Sequence, residues 1–229
     1  METGMIVKKK ELLFLISCRS SKYYPALFEP DRAGEPQIIL ESLFQKGWIE
    51  NTGERFRVVP EVAAWVKQIS GADMLLCLYS ADRRKELLYL YPGEKILAVQ
   101  ESFCRKDALR LLELETDEIS GYLEEQGLLG EDSGWEPLPC TDRSTEILPG
   151  RMEKRSGLSA YPWVRLLAEL VDTESGCVLG HAGIIRNGFR DEIIMEDRTE
   201  GRTVTEPYTS EKFTEILLDW FRQNKEGIK

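Results

Sequence analysis

The chain has 229 residues, of which 42% are hydrophobic and 31% are charged, and its 30 basic and 40 acidic residues give a net charge of −10. This length and composition allow a full hydrophobic core and argue against large-scale disorder. The negative charge repels phosphate backbones and anionic lipid, so nucleic acid and membrane surfaces are both disfavoured as partners.

The first residues have only some features of a secretion signal. Three lysines precede a short apolar run at residues 12–16, but Glu11 borders this run and no small-residue cleavage site follows before Arg19. No apolar run reaches the roughly 18 to 20 residues that span a bilayer. The 5 cysteines are odd in number, scattered and never spaced as C-x-x-C, which is typical of reduced thiols. We therefore expect a cytoplasmic protein without membrane insertion.

The first part of the chain predicts three helices and a small hairpin. The predicted elements are a helix over residues 7–17, for which a strand is the alternative, a helix over 38–46, a turn at 51–53, a strand over 55–59 and a helix over 61–69. Gly47 follows the second helix in the position where glycine commonly ends a helix. Pro60 opens the third helix, because its fixed φ suits the first helical residue.

A run of strands and a helix come next. The predicted strands cover residues 73–80, 86–91, 95–103 and 109–115. Thr116 is then the predicted N-cap of a helix, with acidic residues in its first turn and Gly127 at its end. From residue 128 to 157 glycines and prolines replace the apolar residues, which predicts a linker or a surface excursion with one short helix at 145–154.

The order of elements then repeats. Strands are predicted over residues 163–172, 177–186, 189–196 and 202–206, and Thr209 or Ser210 caps a final helix. We therefore predict an α+β fold with one or more antiparallel sheets, flanking helices and a pseudo-two-fold repeat of a β-meander-plus-helix unit. The expected organisation is an N-terminal half at 1–127, a linker at 128–157 and a C-terminal half at 158–229, either as separate domains or as one composite domain. Chance similarity of two antiparallel units remains the alternative to a true repeat.

The sequence contains no recognisable catalytic arrangement. The single histidine, His181, lies inside a predicted strand without a second histidine to share a metal and without a serine or cysteine placed for activation. Phosphate-binding glycine loops and the common hydrolase and zinc motifs are missing from the sequence. The acidic clusters are interpreted as solvated faces. We expect no catalytic residue, no metal and no cofactor, which leaves protein binding as the favoured activity.

The segment from residue 38 to 59 has the order of a winged helix, with its wing tip at 51–54. A helix that reads bases should present Arg, Lys, Asn or Gln to them. The predicted helix offers only Gln45 and Lys46, both at its end. The acidic chain also lacks the electrostatic footprint of a nucleic-acid-binding protein. We therefore expect the winged-helix shape without DNA binding.

The first 125 residues or so resemble the EspG family of type VII secretion chaperones. The resemblance lies in a short N-terminal helix, Tyr24-Pro25 after it, a helix ending in LFQKG at 43–47, a turn at Gly53 and a helix after Pro60. It implies two sheet-plus-helix halves, a bacterial cytosolic location and binding of secreted helical-hairpin substrates that are kept soluble without catalysis or cofactor. This chain has more lysine and glutamate than the alanine-rich members of the family. For that reason we carry over no substrate-binding residues.

Two functions fit these features of the sequence. The first is a non-catalytic, cytoplasmic protein-binding chaperone for a secreted helical partner. The second is a small acidic regulatory or toxin-neutralising (immunity) protein that meets a basic enzyme through electrostatic steering. A third reading, an enzyme using isolated carboxylates, would require a deep acidic pocket. The sequence does not set the oligomeric state.

The expected protein-binding positions lie at two hairpin tips that carry basic residues on an acidic molecule. They are Arg83, Arg84, Lys85, Arg186, Asn187 and Arg190. The alternative interpretation is that both tips are ordinary solvated turns.

Overall fold

A computed structural model describes residues 4–19, 28, 34–53, 55–80, 85–130, 164–187, 190–197 and 202–226, with only the backbone at some element ends. The strands are β1 Met5–Lys8, β2 Ile49–Asn51, β3 Phe56–Val58, β4 Met74–Ser80, β5 Lys85–Tyr91, β6 Ile96–Glu101, β7 Ala108–Leu114, β8 Val164–Asp172, β9 Val178–Asn187, β10 Arg190–Asp197 and β11 Arg202–Pro207. The helices are α1 Lys9–Ser17, α2 Pro36–Gln45, α3 Pro60–Gly71, α4 Ile119–Glu125 and α5 Ser210–Glu226.

Nine of these strands form one large antiparallel sheet, in the order β1-β7-β6-β5-β4-β8-β9-β10-β11, and β2 and β3 form a separate hairpin. Strands β4 to β7 are followed by α4, and strands β8 to β11 are followed by α5. Each set of four strands is a meander, and the two meanders begin on neighbouring strands, β4 and β8. The predicted α+β class with its repeated meander-plus-helix unit is therefore confirmed.

Two compact units make up the chain. One contains Met1–Leu75, Leu88–Leu114 and Asp172–Gly176, and the other contains Leu76–Leu87, Glu115–Val171 and Cys177–Lys229. The predicted linker at 128–157 and the short helix at 145–154 lie almost entirely outside the described residues.

The first unit begins with a strand whose last two residues overlap the start of the predicted helix. Residues 5–8 form β1, in which Val7 is paired with Leu109 of β7, and α1 starts only at Lys9. The predicted start at residue 7 is therefore wrong by two residues. The reason is tertiary: the β-branched residues at 6 and 7 suit a strand, and the edge of β7 provides the partner that local periodicity does not reveal.

The remaining helices of this unit follow the sequence pattern closely. Gly47 has a φ of 68° after α2, as a helix-ending glycine requires. In α3 the buried apolar residues are Val62, Trp65, Val66 and Ile69, which lie at the spacing of one helical face. The Trp65 ring nitrogen donates to the Glu113 carboxylate of β7 at 2.6 Å. Helix α1 packs against both α2 and α3.

A buried carboxylate joins the first two helices. Glu11 is fully buried and accepts hydrogen bonds from the Ser42 hydroxyl at 2.7 Å, from the Lys46 ammonium and from the backbone N–H of Lys8 at 3.1 Å. Burial alone raises the pKa of Glu11, but the hydrogen bonds from Lys46, Ser42 and Lys8 together outweigh it, so the pKa lies below its usual value of 4.5. The ionised carboxylate is therefore the form that the fold stabilises.

In the second unit the last helix is capped as predicted and the first is not. Thr209 accepts a hydrogen bond from the backbone N–H of Lys212 at 3.1 Å, at the start of α5. The segment before α4 is a 3-10 turn, in which the Glu118 carboxylate accepts from the backbone N–H of Glu115 at 2.8 Å. Glu118, rather than the predicted Thr116, therefore satisfies a free amide at this helix start.

We predict that Glu11→Gln lowers the free energy of unfolding at pH 7 by about 1–3 kcal/mol, because the half-buried Lys46 ammonium and the half-buried Ser42 hydroxyl lose the charge that they face. Urea unfolding followed by circular dichroism measures the loss. Glu41→Gln is the matched control, since Glu41 is an exposed glutamate on α2. An equal effect in both variants would contradict the assigned role.

The same interaction predicts a pH dependence. Because the pKa of Glu11 is lowered on folding, its stabilising contribution is present above about pH 4.5 and is lost as the pH falls through the lower folded value. We expect the unfolding free energy of the unmodified chain to fall more steeply below pH 4.5 than that of Glu11→Gln. Unfolding curves at a series of acidic pH values would show parallel slopes if this is wrong.

Candidate functional site

The predicted hairpin-tip residues are described only in part. Arg83 and Arg84 lie outside the described residues, and Lys85 begins β5 with only its backbone described. Asn187 ends β9, likewise with only its backbone described. Arg186 and Arg190 are the tip positions whose side chains can be placed, and they differ: Arg190 is exposed, whereas Arg186 is half-buried.

Arg186 takes part in a largely buried charge cluster next to the turn of its hairpin. The β9–β10 register places it directly opposite Asp191, and its guanidinium donates to that carboxylate at 2.7 and 3.2 Å. Arg165 of β8 donates to the same carboxylate at 3.2 Å. The side chains of Arg165 and Asp191 are only 7% and 6% exposed. Arg186, which the sequence predicted as a contact for a protein partner, thus forms an ion pair within the chain.

The cluster also fixes the chain after α4. Arg165 donates a second hydrogen bond to the carbonyl oxygen of Gly130 at 2.9 Å, and the N–H of Gly130 donates to the Tyr208 hydroxyl at 3.2 Å. Tyr208 lies between β11 and α5, and its hydroxyl is 3.2 Å from that of Ser210. Gly130 has a φ of 140°, a backbone conformation that glycine adopts readily and other residues rarely adopt. The exit of α4, strand β8 and the start of α5 are therefore held together.

A second row of polar residues, two of them buried, crosses the same three strands. Glu169 of β8 and Glu196 of β10 are both directly opposite His181 of β9. The Nδ1 atom of His181 is 3.6 Å from the Glu169 carboxylate, and Nε2 is 3.4 Å from the Glu196 carboxylate. His181 is 2% exposed and Glu169 is 6% exposed. Sequence reasoning placed His181 in a strand but had no means to identify its two acidic neighbours.

The row does not resemble a metal centre or a catalytic arrangement. The two carboxylates lie next to different nitrogens of the His181 ring, Glu169 near Nδ1 and Glu196 near Nε2, and do not converge on one point. Within the described ranges, no group of three His, Cys, Asp or Glu side chains is placed to hold a metal ion. In the part of the chain that the structure describes, the His181 Nδ1 atom and one Glu169 carboxylate oxygen have no hydrogen-bond partner.

Several large apolar side chains are exposed in the part of the chain that the structure describes. In the first unit they are Ile38 and Phe44 of α2, Phe56 of β3 and Phe103 of the turn between β6 and β7. Phe103 is the most exposed, at 77%. In the second unit Leu179 of β9 is 40% exposed. Aromatic side chains presented in this way are typical anchors of protein–protein contacts.

The turn that carries Phe103 is firmly attached to its unit. We call residues 102–107 the β6–β7 turn. Its Asp107 has a φ of 56° and accepts, through its carbonyl oxygen, a hydrogen bond from the N–H of Lys9 at 3.1 Å. The Lys9 ammonium also pairs with Glu101 at 3.1 Å. The exposed residues Arg105 and Lys106 follow Phe103 in the sequence. The sequence had assigned Phe103 to the end of a strand, which hid this presentation.

The fold of the chain is similar to that of a solved structure. No protein-family profile matches the chain, and no curated protein matches it in sequence. Among solved structures, it is similar to the Mycobacterium tuberculosis type VII secretion system chaperone EspG5, whose structure is in complex with the PE25–PPE41 dimer. The match covers 93% of both chains with a TM-score of 0.53 and 11% identity. The resemblance to the EspG family is thus supported at the level of fold.

One further feature concerns membranes. None of the helices in the described part of the chain is both long and apolar enough to cross a bilayer.

We predict that Asp191→Asn lowers the free energy of unfolding by about 3 kcal/mol, because two arginines then face no negative charge in a buried site. Asp219→Asn is the matched control: Asp219 pairs with Arg222 at 2.8 Å on the exposed face of α5. Surface pairs of this kind contribute about 0.5 kcal/mol or less. Urea unfolding of both variants measures the difference, and similar losses would contradict the importance of burial.

Proposed function

We propose that this chain is a non-catalytic, cytoplasmic chaperone that binds a secreted, helical protein partner and keeps it soluble for export by a type VII secretion system. The observation that carries the proposal is the likeness to the chaperone EspG5 over 93% of both chains. That protein binds a PE25–PPE41 dimer. By analogy, the partner of this chain is a secreted protein or protein pair with an exposed helical surface.

The chemistry of the surface supports protein binding. Phe103 projects from an anchored turn and is followed by Arg105 and Lys106, while the chain as a whole carries a net charge of −10. An aromatic anchor beside basic residues suits an apolar helical face with acidic residues at its margin. The anchoring through Lys9 and Glu101 limits the conformational entropy that this turn would lose on binding.

The test is capture of the partner from the native host. The tagged full chain is purified from its own organism, and the bound proteins are identified by mass spectrometry. A helical partner encoded with a type VII secretion apparatus, and insoluble when expressed without this chain, is the expected result. Recovery of a basic enzyme in a salt-sensitive complex would favour the toxin-neutralising alternative instead. A chain that repeatedly purifies without a stoichiometric partner would contradict the proposal.

We predict that Phe103→Ser weakens binding of the captured partner about 30-fold, the loss expected when a central aromatic anchor is removed. The free energy of unfolding should change by less than about 0.5 kcal/mol, because the ring is exposed in the free chain. Leu179→Ser is the matched control, since Leu179 is also an exposed apolar residue but lies in the other unit. Titration calorimetry with the purified partner measures both variants.

An unchanged affinity for Phe103→Ser would remove the β6–β7 turn from the binding surface. It would leave the chaperone proposal to be judged by the capture experiment alone.

A further inference from the structure

The described sheet ends on strand β11. Within the residues that the structure covers, no strand lies beyond it. Thr203, Thr205 and Pro207 are exposed, and Val204 and Glu206 are half-buried. The opposite edge strand, β1, has 4 residues, whereas β11 has 6. Strand β11 is therefore the longer of the two edges at which another strand could add to the sheet.

The register identifies which backbone groups of β11 face outward. The N–H of Tyr208 donates to the carbonyl of Asp191 in the β10 segment at 3.2 Å. The β10–β11 pairing then continues without a shift, and in an antiparallel ladder alternate residues direct both backbone groups to the same neighbour. The backbone N–H and C=O groups of Val204 and Glu206 therefore point towards β10. Thr203 and Thr205 direct their N–H and C=O groups to the free edge.

We propose that β11 pairs with β11 of a second copy of this chain, in antiparallel orientation about a two-fold axis at Val204. Thr203 then lies opposite Thr205 of the second copy, and the reverse pair is generated by symmetry. These are the residues whose backbone groups face outward, so each pair exchanges two hydrogen bonds. The ladder closes without a bulge.

The sequence of β11 is complementary to itself in this register. Arg202 is placed opposite Glu206 of the second copy, and the symmetry produces this pair of opposite charges twice. Val204 meets its own copy on the same face, while threonine meets threonine on the other. Opposite charges, threonine pairs and β-branched pairs are the cross-strand combinations that stabilise a sheet.

Other registers lose these features. A shift by one residue sets the inward-facing groups of one strand against the outward-facing groups of the other. A shift by two residues separates Arg202 from Glu206. Pro207 has no N–H, so the ladder cannot be extended past it. Charge, hydrogen bonding and strand length all favour the same alignment.

The contact is small, since one short strand pairs with another. We therefore expect a reversible dimer with a dissociation constant of the order of 10–100 μM, in the range of weak protein–protein contacts. Sedimentation equilibrium of the full chain from about 1 to about 200 μM brackets this affinity. A purely monomeric chain over that range would overturn the proposal.

Charge reversal tests the register. Glu206→Arg creates two like-charge pairs, and we expect the dissociation constant to rise about tenfold. The double variant Arg202→Glu with Glu206→Arg restores both pairs and should dimerise like the unmodified chain. Glu206 also pairs with Lys212 within the chain. Lys212→Gln removes that internal pair alone and should have little effect. Failure of the double variant to recover would overturn the alignment.

Backbone substitution tests the hydrogen bonds. Thr205→Pro removes an outward-facing N–H without removing a bond to β10, and should abolish the dimer. Thr205→Ala keeps the amide and should preserve it. Circular dichroism establishes that both variants are folded. If the proline variant does not fold, the charge-reversal series still decides the question. A dimer that survives in a folded Thr205→Pro variant would place the contact elsewhere.

Hydrogen exchange distinguishes a second copy from the two other molecules or segments that could cover the edge, which are another part of the same chain and the captured partner. The Thr203 and Thr205 amides should exchange more slowly as protein concentration rises, because pairing with a second copy protects them. Protection that is independent of concentration would mean that the same chain covers the edge. Protection that appears only when the captured partner is added would assign the edge to that partner. Either result would overturn self-association.

Discussion

The register of the β8–β9–β10 ladder determines how the second unit places its buried charges. Antiparallel pairing sets residues directly opposite one another at fixed separations, so Asp191 meets Arg186, and His181 meets Glu169 and Glu196. A slip of one residue would move each side chain to the other face, and the buried Asp191 carboxylate would lose its arginine partners. The penalty for unpaired buried charge is larger than the net stabilisation from the pairs. The main effect of these residues is therefore to specify one strand register, and their net contribution to stability is smaller.

Glu11 has a similar effect among the helices of the first unit. Its carboxylate accepts from the amide of Lys8 before α1 and from Ser42 and Lys46 at the end of α2. A purely apolar contact between α1 and α2 could slide by a turn at little cost, because apolar packing is not directional. Hydrogen bonds at 2.7 and 3.1 Å to one buried carboxylate are directional. The acid thus fixes the relative position of the two helices.

Local patterns in the sequence predicted most of the elements and little of the site. The apolar face of α3, Gly47 at the end of α2 and the Thr209 cap each depend on residues a few positions apart. The strand β1 depends on β7, far along the chain, and its last two residues were predicted as the start of a helix. The Arg165–Asp191 pair spans three strands and a bulge beside Arg165, which no periodicity encodes. Phe103 was missed because apolar residues at a strand end usually indicate burial, and the positive φ of Asp107 turns the chain instead.

The two proposed binding surfaces have different physical origins. The β6–β7 turn presents a single aromatic ring, so its affinity depends on the shape and chemistry of the pocket that receives the ring. Strand β11 presents backbone groups in a fixed spacing, so its specificity comes from the order of charges along one strand. The turn belongs to one unit and the edge strand to the other. Because substitutions at residues without shared contacts are close to additive, the effects of the two surfaces can be measured separately in one chain.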